Sequence, residues 1–241
     1  MAIDIFITIF FTAIVQSIFG TGVLLFGTPI LLILGYNFHF SLTVLLPASI
    51  LINLFQLKIG FNQIDFQFYK RLVLFSIPLI VLCLYLTHLS SFNINLFIGA
   101  FLIILSLKEI IPTIENLIKN LIRYESFYLM IMGMIHGLTN LGGALLSGIV
   151  FNKDLSKNSK RATIAISYLT FALFQIGTLI LFMDHNEFLT NNKFIYWLLG
   201  PGIFYIVEKF VFVKIDEKKY GTYTNYFLFA IGLVLLSKNL I

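Results

Sequence analysis

The stretch IHGLTNLGGALLSG, residues 135–148, sits inside an apolar run yet holds a histidine, a Thr-Asn pair and four glycines. A continuous helix would not place glycine so densely. Each interior glycine weakens a helix by about 1 kcal/mol against alanine. If the flanking residues lie in lipid, a break there leaves backbone groups where no water can satisfy them. The surroundings put them in lipid. The chain of 241 residues is 59% hydrophobic, 16% aromatic and only 11% charged, with mean hydropathy +0.96. A soluble domain of this size needs more polar surface, so the composition indicates an all-α integral membrane protein.

Six uncharged runs read as ordinary spans: Ser41–Leu57, Leu72–Leu89, Phe92–Leu107, Ala162–Met183, Phe194–Val207 and Tyr223–Leu236. With their flanks each can cross about 30 Å of hydrocarbon. Two segments are different. Phe127–Phe151 carries the opening motif. Ile3–Tyr36 is broken at Gly20-Thr21-Gly22 and again at Gly27-Thr28-Pro29. As one helix the latter would reach roughly 50 Å at ~1.5 Å per residue, more than a bilayer needs. Each broken segment is either a tilted full crossing, which gives eight spans, or a re-entrant hairpin, which gives six spans and two hairpins. Charge separates the layouts. The hairpin layout puts all but Lys193 and Lys238 of the 16 Lys and Arg residues on one face, in the loops around 58–71, 108–123, 153–161 and 209–219. The eight-span layout divides them evenly. The positive-inside rule favours hairpins, with those loops cytoplasmic. The net charge of +5 is therefore a topology signal and not a nucleic-acid signal. Cys83, the lone cysteine, rules out an intrachain disulfide. The first apolar segment lacks a basic n-region, so no cleaved signal peptide is expected.

The halves, 1–120 and 121–241, resemble each other. Gln16-Ser-Ile-Phe-Gly-Thr-Gly lies over His136-Gly-Leu-Thr-Asn-Leu-Gly, so that Gly22 falls on Gly142 and Leu25 on Leu145. Leu54-Phe55-Gln56 falls on Leu173-Phe174-Gln175. Each half is a repeat of about 120 residues, a broken segment followed by three spans, within one membrane domain. With hairpins each repeat has three crossings, and an odd number inverts the second repeat. Inverted repeats with interrupted helices near the midplane mark secondary transporters. Helices that restart after a break aim N–H groups and a positive dipole end at the gap, which suits an anion.

These features resemble the sulfite exporter TauE/SafE family. The resemblance rests on the broken segments FGTGVLLFGTPILL and HGLTNLGGALLSG, the duplication and the basic stretch KNSKRA leading into the next span, and it covers essentially the whole chain. The usual glycine run is thinned here to Gly20-Thr21-Gly22 and Gly142-Gly143. The resemblance implies a transporter of small sulfur-containing or organic anions, such as sulfite or sulfonates, in the bacterial inner membrane.

The substrate-contact candidates are Thr21, Gly22, Asn140, Gly142 and Gly143 at the breaks. The amides Gln56 and Gln175, the repeat-related pair Gln16 and His136, and Asn53 one turn before Gln56 join them. Each has a purely structural alternative: the break residues satisfying one another, the amides acting as interhelical glue, the histidine a packed neutral ring. Thr28 and Ser147 read as capping residues, and Glu208 as interfacial. Tyr69, Tyr124, Tyr196 and Trp197 suit interfacial belts. An enzyme is disfavoured: Ser147 lacks a nucleophile-elbow context, no carboxylate pair is buried, and His39, His88, His136 and His185 are scattered. No metal or other cofactor is expected. The partners are the bilayer and a small anion, with a homo-oligomer open and no nucleic acid. A non-transporting polytopic membrane protein is the alternative.

Overall fold

The computed structural model describes residues 2–20, 22–89, 93–107, 111–182, 193–211 and 217–238. Among them all regular structure is helical. The first half holds α1 (Ile3–Phe19), α2 (Val23–Ile33), α3 (Phe38–Gly60), α4 (Phe66–Leu89) and α5 (Ile94–Leu107). After α6 (Pro112–Arg123) come α7 (Glu125–Thr139), α8 (Gly143–Phe151), α9 (Lys157–Phe182), α10 (Phe194–Val211) and α11 (Glu217–Lys238). The six apolar runs fall in α3, α4, α5, α9, α10 and α11; Phe92 and Met183, at two run ends, lie outside the described residues. Among the described residues Phe38–Lys58, α4 and α9 are long and apolar enough to cross a membrane by themselves. Phe194–Glu208 and Leu228–Lys238 are shorter apolar helices.

One stretch read as a basic loop is a helix. Pro112 starts α6, as proline does well at a first helical position. Ile118, Leu121 and Ile122 pack against the core while Leu117 is exposed, and none of its residues is fully buried. The helix turns 99° from α5. Lys70 and Arg71 likewise lie in α4, and Lys157, Lys160 and Arg161 in α9, so these charges mark helix ends more than loops.

Both broken segments fold back on themselves. In the first, Tyr36 beyond α2 donates to Asp4 Oδ2 at the start of α1, 2.8 Å away. At the other end, a Cβ built on Gly22 would stand 2.8 Å from Thr12 O and 2.7 Å from Gln16 N. Entry and exit thus lie together, and the 11 residues of α2 return along part of the 17 of α1. In the second, Lys153 beyond α8 pairs with Glu125 at the start of α7, 2.9 Å. Tyr128 of α7 donates to Leu145 O of α8, 2.7 Å.

The hairpins open at opposite ends of the bundle. At the end holding Asp4 and Tyr36, the Ala2 amide meets Tyr196 Oη, Trp197 and Lys193 bond Thr43, and Lys238 reaches Ile33 O. At the end holding Glu125 and Lys153, Arg71 also pairs with Glu125 (3.1 Å) and Arg161 pairs with Glu208 (2.7 Å). Lys193 and Lys238 therefore stand at the end opposite Arg71, Lys153 and Arg161.

Each half is held by helices of the other. α4 packs on α7 and α9, α10 packs on α1 and α3, α3 meets α9, and α5 meets α11. Small residues permit the close crossings, as between helices in lipid. A Cβ on Gly133 would stand 2.6 Å from Ser76 O, and one on Gly137 the same distance from Ile80 O. Ser76 Oγ donates across that crossing to Leu129 O, 2.8 Å. Gly137→Ala is expected to lower stability by about 1–3 kcal/mol through this backbone collision. Gly177→Ala, with no atom of the described residues within 4 Å of the added methyl, should leave it unchanged or raise it by up to about 1 kcal/mol. Thermal unfolding of the detergent-solubilised protein checks both.

Candidate functional site

The two reversals share a local design. α1 ends on Gly20 at φ +76°, whose N–H donates to Gln16 O at 2.8 Å. α7 ends on Asn140 at φ +63°, whose N–H donates to His136 O, also 2.8 Å. Left-handed backbone closes a helix end, and asparagine is among the few side-chain-bearing residues that accept it. Asn140 is the non-glycine residue with positive φ among the described residues. Gly22 and Gly142 serve another purpose, close approach to the preceding helix. A Cβ on Gly142 would lie 2.5 Å from His136 Cβ and 2.8 Å from Met132 O.

Around the first tip, Gln16 Oε1 accepts from the Val23 amide at 2.9 Å and so caps α2. Its Nε2 points to Asn53 Oδ1 at 3.5 Å. Asn53 in turn donates to Ser49 O (2.8 Å) and Oγ (3.1 Å). Around the second tip, His136 Nε2 faces Gln175 Oε1 at 3.2 Å, and Phe171 packs on the imidazole with ring centroids 4.7 Å apart. Asn140 Nδ2 donates to Thr28 Oγ1 of α2 at 2.9 Å. This bond joins the second tip to the first hairpin, and all these polar side chains are buried.

The structure thus brings Gln16, Gly22 and Asn53 around one tip and His136, Asn140, Gly142, Gly143 and Gln175 around the other. Thr21 lies outside the described residues. Gln56 stands apart, nearer the basic end, in a cleft with Arg161 and Glu208. The break amides are partly used internally: Gln16 takes that of Val23, and Thr139 Oγ1 takes that of Leu141 at 3.1 Å. The Tyr168 hydroxyl occupies the space a side chain on Gly143 would need. Gly143 therefore lies close against Tyr168. What stays open is side-chain chemistry. His136 Nδ1, Asn140 Oδ1, Gln175 Nε2, Ser147 Oγ and both amide atoms of Gln56 are buried without a hydrogen-bond partner among the described residues. A buried polar atom left so costs about 1–3 kcal/mol, a cost that a polar ligand or water would offset.

Sequence reading named the polar residues of the tips but not the Asn140–Thr28 link or the Arg161–Glu208 pair. Thr28 looked like a capping residue, and Arg161 was one cation among four in a basic stretch. The available signal was Glu208, an acid closing an apolar helix, which needed a cation from elsewhere.

The two amide families predict opposite effects. Gln16→Leu strips the Val23 amide of its acceptor and should destabilise the protein by about 1–3 kcal/mol. Gln56→Leu removes two unpartnered atoms and should leave the thermal midpoint unchanged or higher. Unfolding of both variants in the same detergent decides.

Residues 5–235 match the family described as Sulfite exporter TauE/SafE. Searches of curated proteins and of solved structures found no match.

Proposed function

The chain belongs to the sulfite exporter TauE/SafE family, and from that premise we propose that it is a secondary transporter of a small sulfur-containing or organic anion, such as sulfite or a sulfonate. The observation that carries this reading is the pair of hairpins opening at opposite ends, joined through Asn140 and Thr28 among buried polar atoms without partners. Non-helical backbone at membrane depth survives where protein buries it or it borders a polar cavity.

The halves 1–120 and 121–241 act as inverted repeats, each a re-entrant hairpin followed by three crossings. Helix packing supports this, because exchanging the halves exchanges the contacts α4–α7 and α10–α1, and likewise α4–α9 and α10–α3. The end bearing Lys153, Lys157, Lys160 and Arg161 faces the cytoplasm of a bacterial cell, by the positive-inside rule. The substrate passes between the tips, where Asn140, His136 and Gln175 offer neutral donors and acceptors, with Gln16, Asn53, Gly22 and Gly142 shaping the wall and Gln56 on the cytoplasmic approach. Rocking of one repeat against the other opens the path to alternate faces.

Purified protein in liposomes is expected to move sulfite, thiosulfate, sulfonates or short carboxylates. Asn140→Gly, which keeps the left-handed turn, and Gln175→Leu should lower the initial rate at least tenfold at unchanged incorporation. Flux of cations or neutral solutes alone would discard the anion reading, and wild-type rates in both variants would remove these residues from the path.

A further inference from the structure

We propose that the cleft at the basic end, beneath the tip of the first hairpin, is an anion-binding site in which Arg161 supplies the charge and Glu208 is the resident competitor. The inference rests on the anion-transport reading and specifies how the substrate is captured on that face.

The cleft measures about 230 Å³ and is lined by Gln56, Gln63, Asn158, Arg161 and Glu208 together with Gly60 and Ala162. That is below the ~300 Å³ at which drug-sized pockets begin, and it suits a solute of a few heavy atoms. Gln63 and Asn158 are exposed at the rim. Gln56 is 5% exposed, and neither its Nε2 nor its Oε1 has a partner among the described residues. An amide in that position is a donor and acceptor held ready for something polar in the cleft.

Arg161 is placed by three elements. It stands in the second turn of α9. Its Nη2 lies 2.7 Å from Glu208 Oε1 of α10, and the two side chains are 19% and 18% exposed. The same nitrogen reaches Ser17 O in the last turns of α1 at 3.5 Å. Its Cγ would sit 3.7 Å from a Cβ on Gly20, so the aliphatic stem packs on the tip itself. A guanidinium keeps its charge at every relevant pH and holds a carboxylate or sulfonate through a planar fork of donors.

Glu208 shows what the site accepts. A carboxylate already occupies the guanidinium, tethered by a side chain from the end of α10. A free oxyanion entering past Gln63 and Asn158 would take the guanidinium and the Gln56 amide together, while the Glu208 carboxylate turns out towards water. Lys157 and Lys160, in the same turns of α9, add a positive field that draws anions and not cations to this mouth. Since Arg161 also touches Ser17 and packs on Gly20, the exchange of Glu208 for substrate takes place directly against the hairpin tip. The class of ligand is a small oxyanion, sulfonate-like or carboxylate.

The test uses the full chain in liposomes, with sulfite, methanesulfonate and acetate as probes, and thermal-shift titration of the same anions in detergent. Arg161→Gln should raise the half-saturating concentration at least tenfold. Glu208→Gln should lower it several-fold, because the competitor is gone. The double variant Arg161→Glu with Glu208→Arg should keep a thermal midpoint near that of the wild type and still bind at least tenfold more weakly. Recovery of wild-type affinity in the double variant, or weaker binding in Glu208→Gln, would make the pair a structural latch and overturn the proposal. An unchanged half-saturation in Arg161→Gln, with wild-type flux intact, overturns it alone. Absence of anion flux and anion binding in the wild type overturns the transport reading as well.

Discussion

A chain that reverses direction inside hydrocarbon must find partners for the backbone groups its helix ends release. Both hairpins meet this demand with very little chain. One left-handed residue, Gly20 or Asn140, closes the first helix onto the carbonyl four residues back. One glycine, Gly22 or Gly142, then lets the returning strand of chain lie directly on the helix it has just left. The new helix starts against side chains of the old one. Gln16 accepts from Val23 in the first hairpin, and Thr139 from Leu141 in the second. The reversal is therefore compact enough to be enclosed by neighbouring helices.

That enclosure explains why the halves are intertwined. A hairpin of 11 and 17 residues exposes too much apolar surface and too many polar tip groups to stand alone. α4 covers α7, with Ser76 bonded to Leu129 O and Gly133 and Gly137 allowing backbone contact. α10 packs on α1. Each hairpin is thus walled by a helix from the other half, and the core is shared.

Much of this was legible in the residues. The six apolar runs lie in helices because a polar residue within lipid is costly, and that cost appears directly in composition. The breaks were legible because dense glycine in an apolar run has few other uses. The division of labour among the glycines was not: which one takes positive φ and which one allows contact depends on where the chain goes next. Asn140 at a glycine-like position is read only after its φ is known. α6 hid because its mean hydropathy is low; the spacing of Ile114, Leu117, Ile118, Leu121 and Ile122 is helical and was there to be counted. Arg161 hid for a different reason. Its partner lies in the opposite part of the same half, 2.7 Å away in space, and a cation within a basic stretch usually means only solvated charge.

The placement of charge has a mechanistic consequence. No Lys, Arg, Asp or Glu stands in α1 beyond Asp4, in α2, in α7 beyond Glu125, or in α8. The tips offer amides, an imidazole and hydroxyls. On the proposed transport reading, a fixed cation beside the second tip would be expensive to bury and would hold an anion too tightly to release it, since passage requires binding strong enough to enter and weak enough to leave. Neutral dipoles moderate the attraction. The two tips are also unequal in this respect. Gln16 and Asn53 are largely committed, to Val23 and Ser49. His136, Asn140 and Gln175 each keep one buried atom without a partner. Of the two tips, the second therefore holds the unpartnered buried atoms among the described residues, although both are built alike. The guanidinium of Arg161 sits at the mouth, where water can share the work of desolvation. On the proposed transport reading, capture by a charge at the mouth and conduction past dipoles at the centre are separate tasks that fall to separate residues.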